Sequence, residues 1–379
     1  MIRIFSLSSL LLLLVTFTKG NSILINDSTT LCNSDKEDGI IRVYYYSHSY
    51  KIIYGIVNSI PLVVGLIGNT LVCIVIVRSK VLQSSTNCYL LSLAVSDLFS
   101  LIFGDLILLV GINEEREKWL YGSFACKVWI ILQYMLPAVS ALSITAFSVE
   151  RYLAICHPTR AHGLCFMQRS IRVIIAIWLF CLVIYAPRYS FNELSQYNQI
   201  YVCQPINDVN YQNINRIMYF VDFFVFFCTP LLTTLILYSL ISYHLYASHD
   251  QIKVMQAGGE KSSRSFSERL VQCFHRKKKI IATRNHAQAS LNKKQTRNKR
   301  KVIKMLITVV VFFAIQWFPQ RIAAILQVFQ LVQLDYWFML FSRNLCYINS
   351  AVNPFLYNYM SKRFRRAFKS ALRLRLKCS

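Results

Sequence analysis

The stretch Ser148-Val149-Glu150-Arg151-Tyr152 puts a full ion pair where an apolar run stops. The residues leading into it, Cys126 to Val149, carry a single charge, Lys127, at their outer end. Ionisable groups near lipid are costly and are kept where they have a task. An acid-Arg-Tyr step closing the third of seven such runs reads as a conformational latch, not as a catalytic site.

The whole chain of 379 residues is 55% hydrophobic with a mean hydropathy of +0.41, too apolar for a soluble domain. Seven runs are long enough to span hydrocarbon: Ile52 to Val77, Tyr89 to Ile112, Cys126 to Val149, Ile171 to Pro187, Ile217 to Leu240, Val302 to Leu326 and Trp337 to Tyr359. They are continuous and lack strict alternation, so helices are expected rather than a barrel. The expected fold is an all-α membrane protein, a seven-transmembrane helix bundle over 52–360.

The ends and linkers supply the topology. Met1 to Gly20 has Arg3 ahead of the apolar Leu10 to Val15, with small residues Thr18 and Gly20 at minus three and minus one. That pattern predicts a cleavable signal peptide, the alternative being an uncleaved anchor that adds a span. An N-terminal tail, 21–51, would follow, and Asn26-Asp27-Ser28 in it is an N-glycosylation acceptor. The formal charge of +25 is concentrated between spans five and six, including Arg276 to Lys279 and Lys299 to Lys301, and in the C-terminal tail. This distribution argues against nucleic acid. By the positive-inside rule it places that linker and the C-terminus in the cytoplasm and the N-terminus outside. Of twelve cysteines only Cys32, Cys126 and Cys203 fall on the outer side. Cys126 opens span three and Cys203 lies between spans four and five, so a disulfide between them is expected, pinning the loop over the bundle mouth and leaving Cys32 over. No CxxC or His/Cys cluster has zinc spacing.

Polar residues inside spans point by default to inward-facing functional positions. Span one has Gly68-Asn69, span two Ser96-Asp97, and span three Ser140 and then Glu150-Arg151-Tyr152. Span four has Trp178 and Pro187, span five Pro230 and Tyr238, and span six Phe313, Trp317 and Pro319. Span seven has Asn349, Ser350 and Asn353-Pro354-Phe355-Leu356-Tyr357. In this order and number the set resembles the rhodopsin-like G-protein-coupled receptors. Closer text, Ser85 to Asp97, Ser143 to Pro158 and Trp337 to Ser350, is similar to the thyrotropin-releasing-hormone receptor group. The resemblance covers roughly Ile53 to Phe368.

Asp97 lies mid-span with Asn69, Ser140 and Asn353 at matching depths, and a lone carboxylate there needs a proton or a cation. The resemblance implies sodium held by Asp97 and Ser140; a protonated Asp97 in a water network is the alternative. Pro319 removes a backbone hydrogen bond and is expected to bend span six. Trp317 would face the cavity above this pivot and Phe313 would pass the movement inward. The resemblance implies that Tyr238 and Tyr357 then support an open cleft beside Arg151.

On the ligand side, Gln133 stands where amine-binding relatives carry Asp, and span seven has no lysine for a retinal Schiff base. Arg321 and Arg343 lie in the outer halves of spans six and seven, and guanidinium groups seek carboxylate or amide carbonyl acceptors. A peptide with a terminal amide, pyroglutamyl or carboxyl group is expected, an amidated neuropeptide foremost. The competing reading pairs either arginine with Asp105 or Asp222 structurally. The resemblance implies Tyr134 and Arg343 as peptide contacts, Arg321 in support and Gln320 beside it. Two positions depart: Ala138 stands where the hormone receptors have Asn, and Gln320 where they have Tyr.

On the inner side the long third loop, 247–298, lacks apolar period and holds Ser262, Ser263, Ser265 and Ser267 as candidate kinase sites. Phe364, Phe368, Leu372 and Leu376 recur among basic residues, predicting an amphipathic eighth helix on membrane lipid within 361–379, with Cys378 as a candidate palmitoylation site. The resemblance implies a heterotrimeric G protein of the Gq class, an arrestin and a receptor kinase as partners. A neuromedin- or ghrelin-type peptide receptor is the alternative. A transporter or channel is remoter, since no repeat symmetry or paired broken helices appear. An enzyme is excluded by the lack of any nucleophile-base constellation: His48, His157, His162, His244, His249, His275 and His286 are scattered. Asn298-Lys299-Arg300-Lys301 offers Arg151 no acid at the base of span six, so Glu150 and packing are expected to hold it at rest.

Overall fold

The computed structural model describes residues 46–79, 82, 84–112, 118–157, 167–197, 200–206, 208–262, 307–308, 310–329, 331–332, 334–360 and 364–368. Seven long helices occupy them: α1 (His48–Arg78), α2 (Ser85–Gly111), α3 (Gly122–Cys156), α4 (Met167–Tyr185), α5 (Val209–Leu245), α6 (Val310–Val328) and α7 (Tyr336–Met360). The helical backbone of α5 continues to Ser262. At about 1.5 Å per residue even the shorter members approach the roughly 30 Å of a bilayer core.

Six of the seven are long and apolar enough to cross a membrane. The seventh, α7, falls outside that set by its composition, and its polar residues face inward: Ser342, Asn344, Asn349, Ser350 and Asn353 are all buried. They are used. Asn344 Nδ2 donates to Val57 O at 3.0 Å and to Asn58 Oδ1 at 3.2 Å, tying α7 to α1. Without a hydrophobic drive between helices in lipid, such interhelical hydrogen bonds and close packing supply the association.

The outer faces are apolar. On α1, Ile52, Ile56, Ile60, Val63 and Ile67 are exposed at helical spacing, a stripe that suits lipid and not water. α3 is the axis of the bundle: 61% of its most apolar window is buried, against 17% for α4. It packs on α2, α4 and α5, while α1 packs on α2 and α7. Trp178 Nε1 donates to Ser92 Oγ at 3.0 Å and Ser92 lies 3.3 Å from Ser143, joining α4, α2 and α3.

Three features depart from the expected plain bundle. Residues Leu101–Leu106 in α2 and Phe224–Cys228 in α5 are π-helical. The second precedes Pro230, which has no N–H to give to the turn before it, and Phe224 O accepts both the backbone N–H of Thr229 and its Oγ1, the latter at 2.8 Å. The third departure is a two-stranded antiparallel hairpin, β1 (Asn192–Tyr197) and β2 (Ile200–Pro205), between α4 and α5. Strand β2 carries Cys203, bonded to Cys126 with a Cα–Cα distance of 5.6 Å, so the expected disulfide forms. The last helix of the expected bundle is described only over 364–368, where Phe364 is buried against Val72, Leu93 and Tyr357. Asn26, Cys32, Cys378 and the predicted signal peptide lie outside the described residues.

Candidate functional site

Below the hairpin the helices leave a cavity of about 290 Å³. All five residues expected at a ligand, Gln133, Tyr134, Gln320, Arg321 and Arg343, line it. Each is positioned by a neighbouring element. Gln133 Nε2 donates to Phe103 O at 3.2 Å, reaching the α2 backbone where the π-turn brings it inward. A Cβ on Gly104 would stand 3.0 Å from the Tyr347 hydroxyl and 3.3 Å from Gln133 Nε2, so any larger residue would have to push these side chains aside. Gln320 Oε1 accepts from Ser342 Oγ at 2.8 Å, linking α6 to α7. Tyr134 and Tyr219 share a hydroxyl contact of 2.8 Å. Ala138 is elsewhere, fully buried among Cys181, Tyr185 and Phe226.

Arg321 resolves partly toward the structural pairing weighed above: its Nη1 lies 3.7 Å from Asp222 Oδ1. It nevertheless stays on the cavity wall. Asp222 is paired more closely with Arg188, in the 3-10 turn Ala186–Tyr189 that ends α4, at 3.1 Å, and its Oδ1 accepts the Tyr185 hydroxyl. Sequence reasoning missed Arg188. Its guanidinium stacks on the Tyr134 ring at 3.7 Å, and Nη1 donates to Asn215 Oδ1 at 3.4 Å. The sole hint was an arginine following Pro187 at the end of an apolar run. Asp105, in the other π-turn, is fully buried, and neither carboxylate oxygen has a hydrogen-bond partner.

The cavity floor meets the polar centre of the bundle. Trp317 and Ser350 line the cavity. Ser350 Oγ donates to Asp97 Oδ1 and Asn353 Nδ2 to Asp97 Oδ2, both at 2.8 Å. Asn69 Nδ2 donates to Gly65 O and Ser350 O at 3.0 Å, while its Oδ1 is buried without a partner. Ser140 faces the same layer but shares its hydroxyl with Ser96 at 2.8 Å. The structure therefore joins Asp97 to α7 directly, while Ser140 is hydrogen-bonded to Ser96 and not to Asp97. This donor set is all oxygen, with one orphaned carbonyl, and fits a hard cation.

Below this layer the aromatic ladder is continuous: Trp317 to Phe313 at 6.1 Å and Phe313 to Phe227 at 6.2 Å between ring centres. Pro319 lies within helical backbone one step above. Tyr238 is buried and hydrogen-bonded to Ser148 on α3. Tyr357 is buried beside Val72 and Leu93 with its hydroxyl unpartnered. A Cβ on Gly68 would stand 2.9 Å from Pro354 Cγ, which holds this part of α7 close to α1.

At the far end Arg151 Nη2 lies 3.2 Å from Glu150 Oε1. Glu150 Oε2 accepts from Ser85 Oγ at 2.7 Å and Ser170 Oγ at 3.2 Å. Arg151 also donates to Thr86 Oγ1, and its Nε is buried without a partner. Tyr152 and His157 are 3.3 Å apart. The latch thus spans α2, α3 and α4, which the local sequence did not reveal.

Residues 68–357 match the family model "7 transmembrane receptor (rhodopsin family)". The chain is 34% identical over 318 residues to a thyrotropin-releasing hormone receptor of Gallus gallus, covering 83% of this chain and 76% of that one. It is 30% identical over 353 residues to the pyrokinin-1 receptor of Drosophila melanogaster, covering 84% and 79%. Similarity to neuromedin-U receptor 1 of Rattus norvegicus is 32% over 338 residues, covering 83% and 72%.

Proposed function

Since the chain belongs to the rhodopsin family of seven-transmembrane receptors, and so is a multi-pass membrane receptor and not an enzyme, we propose that it is a plasma-membrane receptor activated by an extracellular, amidated neuropeptide and coupled to a Gq-class G protein. The observation carrying this reading is the placement of Gln133, Tyr134, Gln320, Arg321 and Arg343 around one cavity whose floor includes Trp317 and Ser350. A ligand there touches side chains that are mechanically connected to the latch. The Cys126–Cys203 disulfide sits at the cavity end, and disulfides persist in oxidising compartments, which supports an outward-facing cavity and N-terminus.

In this reading carbonyl and carboxylate oxygens of the peptide take the arginine donors, since planar acceptors match the guanidinium fork. Ligand contact shifts Trp317, the shift passes through Phe313, and the inner half of α6 swings about Pro319. A cleft then opens beside Arg151 for the G protein, with the arrestin and receptor kinase using the same inner face. Sodium in the resting state would rest on Asp97, Ser140 and the Asn69 carbonyl. It would supply charge neutralisation to a buried carboxylate.

The relatives are named for thyrotropin-releasing hormone, for pyrokinin and for neuromedin U, so the similarity spans receptors named for more than one ligand. Gln320, which stands where the hormone receptors carry Tyr, is on the cavity wall and is held by Ser342, so the surface offered to a ligand differs there. A ligand other than the tripeptide hormone is therefore favoured. The test is a library of amidated peptides applied to cells expressing the full chain, with intracellular calcium as the readout. Calcium release to an amidated peptide supports the proposal; current or uptake with solutes alone overturns it.

A further inference from the structure

From Arg188, Arg321 and Asp222 we infer that this receptor takes a ligand bearing a carboxylate, and that the two arginines form the anion subsite. The inference rests on the peptide reading above and narrows its ligand class. The two guanidinium groups flank a single carboxylate, Arg188 at Oδ2 and Arg321 at Oδ1. All three side chains are at least nine-tenths buried, so the local sum is one uncompensated positive charge out of water.

Such a surplus is costly, and a buried ion group with one charge unpaired is strongly destabilised relative to a balanced one. The remaining neighbours soften the cost without cancelling it. Tyr134 and Tyr219 give their ring faces to Arg188, at 3.7 and 5.2 Å, the Trp317 ring lies 5.4 Å from the Arg321 guanidinium, Asn215 accepts from Arg188, and the Tyr185 hydroxyl donates to Asp222 Oδ1. None of these is an anion. The Nε atoms of both arginines are buried without hydrogen-bond partners, although both residues line the cavity. Arg321 is also held loosely, since 3.7 Å is beyond hydrogen-bond reach. A second carboxylate entering the cavity would complete a two-by-two charge arrangement and could draw Arg321 from Asp222 while it remains over Trp317. An amide in the same place satisfies donors but leaves the charge unbalanced.

The first test needs no agonist. Thermal unfolding of the purified full chain in detergent is measured with N-acetylglutamate or N-acetylglutamine at equal ionic strength. The acid should raise Tm by at least about 2 °C over the amide, by linkage to the folded state. Arg321→Gln should abolish the difference and Asp222→Asn should enlarge it. Equal shifts from acid and amide in the wild type, or a difference that survives Arg321→Gln, would overturn the assignment. In cells, replacing the acidic group of an activating peptide by its amide should lower potency by about a hundredfold or more in the wild type and by under about tenfold in Arg321→Gln. Full activation by peptides with no acidic group, at unchanged potency, would also overturn it. Stabilisation by N-acetylglutamate with silence toward every peptide would instead sink the peptide-receptor reading and leave the anion subsite standing.

Discussion

Ser350 donates its hydroxyl to Asp97 at 2.8 Å and at the same time lines the ligand cavity. One side chain therefore belongs to both the recognition layer and the polar centre. Asn353 binds the other oxygen of the same carboxylate, so Asp97 reports the position of α7 over one helical turn. Any rotation of α7 must break or exchange these two hydrogen bonds together.

Neutralising that carboxylate should uncouple the layers. Asp97→Asn is expected to remove the dependence of agonist affinity on sodium, which in the wild type should be weaker in sodium chloride than in an equal concentration of N-methylglucamine chloride. Radioligand displacement in the two salts measures it. A sodium effect that persists in Asp97→Asn would place the ion elsewhere, and no effect in the wild type would leave Asp97 neutralised by a proton.

Arg343 is expected to contribute a ligand contact from α7. Arg343→Ala should reduce the potency of an activating peptide by on the order of a hundredfold, the scale of losing a charge-assisted hydrogen bond to a buried polar group. Surface expression should stay near wild type, which separates contact from folding. Undiminished potency at equal expression would remove Arg343 from the binding surface.

The hairpin over the cavity depends on its covalent tie. Cys126 and Cys203 are 77 residues apart, a loop long enough for a disulfide worth about 2–5 kcal/mol. Cys126→Ser and Cys203→Ser should each lower thermal stability and lose high-affinity binding to the same degree, with the double variant no worse than either. Unequal losses would mean that one cysteine acts apart from the bond.

Much of this architecture was legible in the chain. The span positions and the disulfide follow from hydropathy and compartment, and the five cavity residues from the family resemblance together with two arginines in the outer halves of their spans. Arg188 was not legible, because an arginine after an apolar run ordinarily snorkels to the interface. Only the 3-10 turn Ala186–Tyr189 and the Tyr134 ring turn it inward. The π-turns escaped for another reason: a one-residue insertion leaves hydropathy unchanged while rotating everything beyond it. Gly104 and Asp105 lie within one of these π-turns, at buried positions. The partners of the latch were hidden in the same way, since Ser85, Thr86 and Ser170 are short polar residues whose direction is set by packing and not by period.

Those partners sharpen what Glu150 does. It is held by two hydroxyls as well as by Arg151, and Arg151 by Thr86 as well as by Glu150. Losing the carboxylate charge removes the strongest of these contacts while the hydroxyl bonds to an amide remain possible. Glu150→Gln should therefore raise ligand-free signalling several-fold and not maximally, and Thr86→Val should raise it less. Combining the two should exceed either, because each frees a different hold on the same guanidinium. Arg151→Ala should abolish G-protein coupling with agonist binding intact. Basal inositol phosphate accumulation at matched surface expression measures the first three, and agonist-stimulated nucleotide exchange the fourth. Wild-type behaviour in all four variants would reduce Glu150-Arg151 to a charged helix end with no part in switching.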